Sequence, residues 1–437
     1  MAVLYHNPPH EFYVVRIVKF FTNLFKSGVE TQACREMALR SDPLEVIFDR
    51  FLTSRAIFKN RDVLRHDFVP SRLPHREEEL SRVAEILAPV LTGTRGSNVL
   101  VYGKTGTGKT ASVKYVLARL AEKCGSVGSS FKGIYVNCRL AGTEYRVLSK
   151  ICSMHAVQLP FTGLATAELS NRLIESMKSH GSYSIVVLDE VDALVKGFGD
   201  RLLYELTRIN ELLGAASLTL MGISNDLSFK EYLDPRVLSS LSEEEVVFKP
   251  YTAPELRDIL AERAKEGFAE GVVSPGAIDL CAALGAAEHG DARRALDLLR
   301  VAGEIAERAE RKTVDEECVR IAWKKIEEDR LYQVVKSLPL HSRLVLLGTI
   351  QTTSKSGKVT SGECYTSYNA LCQHAGIEPL THRRVSTLVN ELEEAGILIC
   401  KIMSQGRYGR TKRISLSAPL SVIEKALSTD SLLQNLI

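Results

Sequence analysis

The sequence predicts an α/β fold: a P-loop parallel-sheet domain, then an all-helical domain, then a C-terminal winged helix-turn-helix. Three observations carry this. Asn98 to Thr110 is a short apolar run followed by a glycine-rich loop closed by Lys-Thr. Ser184 to Glu190 is a second apolar run, ending in two carboxylates. Residues 380–416 set a basic helix start ahead of two β-type runs joined by a basic, glycine-bearing turn.

Gly103-Lys104-Thr105-Gly106-Thr107-Gly108-Lys109-Thr110 fits G-x-x-x-x-G-K-[ST] at every fixed position, with helical spacing from Ala111 to Leu120 behind it. Glycines there let successive backbone N–H groups turn inward around phosphate oxygens, and the next helix aims its positive end at the same anion. Lys109 reaches the β- and γ-phosphates, and the Thr110 hydroxyl ligates Mg²⁺. The plainer alternative is a glycine-rich loop that binds no nucleotide.

The 437 residues suggest about two to four domains, and 45% apolar residues are ample for ordinary cores. No run approaches the ~18 apolar residues of a membrane span. Nine cysteines without a C-x-x-C pair fit a reducing cytosol and argue against a zinc cluster. The net charge of +3 hides an asymmetry. Residues 331–437 hold 12 Lys and Arg against 7 Asp and Glu, whereas the rest of the chain is slightly acidic. A polyanion is expected at the C-terminal end.

Residues 1–42 read as an extension. Val14, Ile17, Val18, Phe21, Leu24 and Phe25 follow helical spacing with basic residues largely opposite, which suits a membrane surface, a partner, or loose packing on the body. The stretch lacks the basic lead of a signal peptide. Met37 is a candidate alternative start. A helical pattern from Pro43 to Phe58 then runs into Phe68-Val69-Pro70 and Leu73-Pro74-His75-Arg76, before an acidic run that opens a helix to Leu91. Val69, His75 and Arg76 are candidates to wall an adenine ring, although His75 and Arg76 equally suit solvated helix-start positions. Tyr251, just after the last expected strand, joins the nucleotide-binding candidates.

Gly133 to Cys138 reads as a second strand. Val186-Val187-Leu188-Asp189-Glu190 is a third, and its two acids supply the other half of a nucleotide site. Asp189 holds Mg²⁺ and Glu190 polarises the attacking water as general base. A helix from Arg201 to Leu213 precedes a fourth strand, Leu218 to Asn225. Asn225 can hydrogen-bond the water or γ-phosphate, or simply form a turn. Arg236 follows Asp234-Pro235, where it offers a guanidinium to a neighbouring subunit's γ-phosphate or makes a helix-start ion pair. Glu245 to Phe248 is a fifth strand.

Residues 250–330 are helical in pattern, and Gly290-Asp291-Ala292-Arg293-Arg294 starts a helix that can carry Arg293 back to the phosphates. Residues 331–437 change texture. Helical runs at 338–351 and 365–374 precede Thr381, a good N-cap followed by His382-Arg383-Arg384 and the stripe Val385, Leu388, Leu392. Gly396 closes that helix, and Ile397–Met403 and Lys412–Leu416 flank the turn containing Arg407, Tyr408 and Arg410. A third helix in the major groove and a wing on the phosphates make Arg383, Arg384, Arg407, Tyr408, Arg410 and Arg413 DNA-contact candidates. The alternative is a protein-binding winged helix with a solvated hairpin.

These stretches together resemble an AAA+ ATPase of the initiator group, most nearly the archaeal origin-recognition and cell-division-control family of replication initiators. The resemblance rests on Phe68-Val69-Pro70, Leu73 to Glu77, the P-loop, Val187 to Glu190, Asp234 to Val237, Gly290 to Arg293, Leu380 to Val385 and Gly406 to Thr411, within residues 43 to 418. It implies an AAA+ domain over residues 43–249, a lid over 250–330 and a winged helix over 331–437. It implies Lys109, Thr110, Asp189 and Glu190 as Walker residues, Asn225 as first sensor, Arg236 as arginine finger and Arg293 as second sensor, with Arg294 one position away. It further implies that residues around Gln158 to Leu169 form an insertion that presses on DNA, here without Lys or Arg. The expected activity is a slow Mg²⁺-dependent ATPase acting as a switch. The expected partners are double-stranded origin DNA, the replicative minichromosome-maintenance helicase and other initiator subunits, in the cytoplasm and on the chromosome. A remodelling motor and a nucleotide-gated transcription regulator stay open, although no aromatic-basic pore loop stands out.

Overall fold

The computed structural model describes residues 57–65, 68–157, 163–180, 183–356, 359–404, 410–434 and 436. The chain divides into two units, Met1–Arg55 and Ala56–Ile437, and every described residue belongs to the second. The N-terminal extension, most of the helix before Phe58, residues 158–162 of the expected insertion, and Arg407 and Tyr408 lie outside the described residues.

Helix α1, Glu77–Leu87, opens on three glutamates, which suit the positive end of a helix. It stops short of Leu91, the end that the sequence pattern predicts. A 3-10 turn, Ala88–Thr92, takes over because Pro89 has no N–H to continue the ladder. Strand β1 (Val99–Gly103), helix α2 (Lys109–Val127) and strand β2 (Phe131–Asn137) follow. Next come α3 (Cys138–Ala141), α4 (Glu144–Met154), α5 (Thr166–His180) and β3 (Tyr183–Asp189). Helix α6 spans Val191–Phe198.

The single helix expected from Arg201 to Leu213 is two, α7 (Arg201–Arg208) and α8 (Asn210–Leu213). Ile209 between them keeps helical dihedrals, φ −56° and ψ −30°, so the backbone stays near-helical across the junction. The Asn210 amide donates to Leu218 O at 2.9 Å and accepts from Leu218 N at 2.8 Å, which ties α8 to the following strand. Strand β4 (Ser217–Ser224), helix α9 (Pro235–Leu241) and strand β5 (Glu244–Phe248) complete the domain.

The sheet is parallel, in the order β2-β3-β4-β1-β5. Alternate residues of each strand serve opposite cores, as the period of two requires. Leu100, Val186, Leu188 and Leu220 pack with α4 to α7 and α9, while Val99, Val101, Val187 and Ile223 pack with α1 and α2. Asn137, Asp189 and Ser224 finish their strands at the same edge as Gly103, where ligands bind in open α/β sheets.

The lid comprises α10 (Ala253–Gly267), α11 (Pro275–Ala287), α12 (Ala292–Arg308) and α13 (Glu316–Ser337). Ser274, Asp291 and Asp315 cap the last three with side-chain oxygens, and Thr252 with Glu255 forms a capping box on the first. The segment ahead of the sheet straps this lid. Phe58 stacks on Phe268 at 4.7 Å, and Asn60 N donates to Gly267 O at 3.0 Å. A Cβ at Gly303 would fall 2.5 Å from the Phe58 ring and 2.6 Å from the Phe268 ring. Gly303→Ala gains up to about 1 kcal/mol of helix propensity, but overpacking costs roughly 1–3 kcal/mol. The thermal midpoint is expected to fall, and an unchanged or higher midpoint contradicts the packing.

The C-terminal part contains α14 (Leu340–Ser356), β6 (Val359–Thr360), α15 (Ser361–His374), α16 (His382–Glu394), β7 (Leu398–Ser404), β8 (Arg410–Leu416) and α17 (Leu420–Leu427). The three strands form an antiparallel sheet in the order β6-β8-β7. Helix α13 belongs to two cores: Ala322, Trp323 and Ile326 join the lid, and Leu331, Tyr332 and Val335 join the winged helix. We place the division between these domains inside that helix.

Candidate functional site

A cavity of about 530 Å³ opens at the C-terminal edge of the parallel sheet, within the size range of small-molecule sites. Gly106, Gly108 and Thr110 of the P-loop line it. So do Phe68, Val69, Pro70 and Leu73 of the strap, with Ile259 and Leu296 of the lid. A P-loop and apolar side chains in one cavity suit a nucleotide.

The P-loop is built against the lid. Gly106 has φ 75°, and a Cβ there would fall 1.8 Å from Asp291 Oδ1. Ala292 N donates to Gly106 O at 3.2 Å, so the start of α12 sits directly on the loop. Lys109 is buried, and its Nζ donates to Gly103 O at 2.8 Å and Lys104 O at 2.7 Å. Those bonds hold the loop in shape around its own lysine. Lys104 and Thr105 face solvent, and Thr107 Oγ1 donates to Lys104 O at 2.9 Å.

Burial pushes the Lys109 ammonium down to about 8, with Arg293 adding to the effect and Asp189, Asp192 and Asp291 opposing it. Phosphate beside it favours the charged form. Below pH 8 Lys109 is already protonated, and nucleotide affinity is expected to be flat. Above it, binding must take up a proton, so affinity falls by up to about tenfold per pH unit. Calorimetric titration of ADP across this range checks the sign, and pH-independent affinity contradicts it.

Thr110 Oγ1 donates to Asp189 Oδ2 at 2.9 Å, and Tyr135 OH donates to the same oxygen at 2.6 Å. Burial and that carboxylate push the Tyr135 phenol well above its usual value, so it stays a donor. One hydroxyl beside one carboxylate is a donor set that fits Mg²⁺, which keeps several waters and takes its other ligands from phosphate. Glu190 has φ 53° and ψ 43°, the left-handed region that a non-glycine residue enters at a cost of about 1–3 kcal/mol. Its carboxylate accepts from Asn137 Nδ2 at 3.3 Å and lies 3.7 Å from Arg139. These contacts fix the side chain at the cavity edge.

Of the other residues singled out by sequence, Val69, Tyr251 and Arg293 line the cavity. Arg294 pairs with Glu288, which leaves Arg293 as the arginine of α12 that faces the P-loop. Asn225 follows the last residue of β4 with its backbone N–H on Asp192 Oδ1 at 3.2 Å, and it is not among the lining residues. Arg236 is exposed and 4.0 Å from Asp234.

Arg76 departs from both sequence readings and His75 from the adenine-wall reading, since neither side chain lines the cavity and only His75 stays partly exposed ahead of α1. His75 Nε2 lies 3.1 Å from Asp258 Oδ2 of the lid. Arg76 is only 4% exposed, donates to Thr107 O at 3.0 Å and Lys249 O at 2.6 Å, and stacks 3.8 Å from the Tyr251 ring centroid. It clamps the P-loop from behind.

Sequence reasoning missed Tyr135, Asn137, Arg139 and Asp291. Their shared signal was position: Tyr135 and Asn137 end the strand beside Asp189, and Asp291 precedes the arginine pair.

In the C-terminal domain, the Thr381 side chain accepts from Arg384 N and caps α16. Val385, Leu388, Val389 and Leu392 enter the core, leaving Arg383, Thr387 and Asn390 on the exposed face. Arg384 is exposed and 3.5 Å from Glu391. Arg413 is half-buried on β8 and pairs in register with Lys401 of β7. Lys412 donates to the Asn390 side chain and ties the wing to the helix. Arg410 begins β8.

Comparison with known proteins gives a consistent result. Residues 93–228 match the AAA domain family, residues 257–324 the Cdc6 AAA+ ATPase-type lid domain, and residues 333–426 the CDC6 C terminal winged helix domain. The ORC1-type DNA replication protein of Thermococcus onnurineus is 50% identical over 400 residues, covering 90% of this chain and 96% of that protein. ORC1-type DNA replication protein 1 of Archaeoglobus fulgidus is 48% identical over 390 residues, covering 89% and 95%. Among solved structures, the Aeropyrum pernix ORC1 protein in complex with DNA aligns with TM-score 0.74 and 49% identity, over 87% of this chain and 99% of that one.

Proposed function

The chain belongs to the family of ORC1-type DNA replication proteins, and on that premise we propose that it grips duplex origin DNA under the control of bound ATP or ADP. It then helps recruit the replicative minichromosome-maintenance helicase, and slow ATP hydrolysis resets it. One observation carries the coupling. The start of lid helix α12 rests on Gly106 of the P-loop, and helix α13 of the same lid continues into the winged-helix core. A change at the phosphates therefore has a short mechanical route to the DNA-binding domain.

Backbone amides from Gly106 to Thr110 cradle phosphate oxygens, and Lys109 exchanges its loop carbonyls for them. Mg²⁺, held by Thr110 and Asp189 with phosphate oxygens, supplies charge neutralisation when bound. Glu190, oriented by Asn137, takes a proton from the attacking water. Asn225 assists at the γ-phosphate through the β4 tip, Arg293 reports phosphate occupancy to the lid, and exposed Arg236 serves a neighbouring subunit's site. The reset role predicts turnover below the ordinary enzymatic range of about 1 per second.

Helix α16 enters the major groove with Arg383 and Arg384 leading, and Arg407, Tyr408, Arg410 and Arg413 of the wing hold phosphates or the minor groove. Arg383→Ala is expected to cost roughly 1–3 kcal/mol at particular bases. Arg413→Ala should weaken all duplexes and lower the salt slope by about one unit. Competition binding with a base-substituted duplex series separates the two, and identical effects on every sequence contradict the base-reading role of Arg383. Mapping of binding sites in cells tests the whole reading. Enrichment at replication origins with co-purifying helicase supports it; sites confined to promoters, or rapid turnover raised by single strands, contradict it.

A further inference from the structure

Arg263 sits in the interior of lid helix α10, lines the nucleotide cavity beside Ile259, and is 9% exposed. Its guanidinium lies 4.8 Å from the centroid of the Phe68 ring of the strap, so lid and strap meet directly at this point of the cavity wall. Among the described residues, Nη1 has no hydrogen-bond partner. Glu262 and Glu266 favour its charge, but burial outweighs them and pushes its pKa below the usual arginine value. A buried donor without an acceptor costs about 1–3 kcal/mol, and more when charged. Nucleotide cavities are the places where such a cost has a function, because the ligand supplies the missing acceptor.

The orientation of the cavity says which part of the ligand this is. Gly106, Gly108, Thr110 and Arg293 fix the phosphates at the P-loop. Phe68, Val69, Leu73 and Ile259, which belong to the strap and to lid helix α10 and not to the P-loop, add the apolar walls that a base requires. A guanidinium only donates, whereas the ring nitrogens of adenine only accept and its exocyclic amine only donates. We propose that Arg263 is a base-recognition residue: Nη1, closed off in the present structure, turns outward when nucleotide binds and donates to a ring nitrogen of the purine while Phe68 supports the guanidinium face. Since Arg263 is on the lid and Phe68 on the strap, the contact that presents the donor is one that lid and strap make together. This rests on the nucleotide reading above.

The test is calorimetric titration of the full chain and of Arg263→Met with ADP, 2′-deoxy-ADP, and ADP analogues in which N1, N3 or N7 is replaced by carbon. Arg263→Met is expected to lose roughly tenfold in ADP affinity. One deaza analogue should lose a similar factor against the parent and nothing further against Arg263→Met. The thermal midpoint without nucleotide should hold or rise, since an unsatisfied donor has gone; a purely structural arginine would lower it with no dependence on the analogue. Equal ADP affinity in parent and variant overturns the proposal. So does a uniform loss across all analogues, or sensitivity to 2′-deoxy-ADP alone, which places the contact on the ribose. If Arg263→Met does not fold, Arg263→Leu, which also lacks a donor, takes its place, and an unaltered analogue profile in that variant counts against the proposal. A parent chain that binds no ADP at all overturns the nucleotide reading as well.

Discussion

Glu190→Gln is expected to bind ATP as tightly as the parent chain and to hydrolyse it at least about 100-fold more slowly, the ordinary contribution of a positioned general base. The substitution keeps the size of the side chain and its ability to accept from Asn137 Nδ2, so the cavity edge should keep its shape. It removes only the capacity to take a proton. Asp189, whose carboxylate accepts from Thr110, Tyr135 and the backbone N–H of Glu190, is untouched. Single-turnover hydrolysis measured beside equilibrium ATP binding distinguishes the outcomes. Retained binding with lost hydrolysis fits the assignment, and hydrolysis at the parent rate excludes Glu190 as the base.

Gly106→Ala is expected to reduce nucleotide affinity by roughly 30- to 150-fold, the equivalent of about 2–3 kcal/mol. Two physical effects act together. The residue has φ 75°, a conformation that an L side chain adopts at a cost of about 1–2 kcal/mol. The added Cβ would also overlap the Asp291 carboxylate, which accepts from Arg293 N at 2.9 Å and Arg294 N at 3.3 Å as the cap of α12. Losing such a cap costs about 1 kcal/mol more. Asp291 must move, and with it the lid arginine facing the P-loop. Combining Gly106→Ala with Asp291→Ser, which keeps a capping oxygen on a shorter side chain, should recover part of the affinity; the φ penalty remains. Titration with a fluorescent nucleotide reads this directly. Parent-like affinity in Gly106→Ala contradicts the close lid contact.

Much of the fold was legible because it rests on local rules. The apolar strands announced themselves by composition and by the glycine loop or acid pair at their ends, and Thr381, Asp291 and Gly396 marked helix ends through their own chemistry. The phosphate end of the site was legible for the same reason: its residues are contiguous in the P-loop or adjacent at Asp189 and Glu190. The features that escaped depend on distant partners. Arg76 reads as a helix-start residue because nothing nearby in the chain indicates that its guanidinium reaches Thr107 and Lys249. Arg293 and Arg294 are neighbours in sequence, and only Glu288, on the other side of the turn, separates their roles. The Asn210 side chain holds Leu218, a strand residue that helical periodicity alone does not bring near it.

Footprinting of the full chain on an origin duplex, with ATP and then with ADP, is the most direct measurement of nucleotide control over DNA binding. A lid that couples the P-loop to the winged helix predicts protection that differs in extent or pattern between the two nucleotides, with Glu190→Gln in ATP locked to the parent's ATP pattern. Identical footprints in ATP, in ADP and without nucleotide would contradict it.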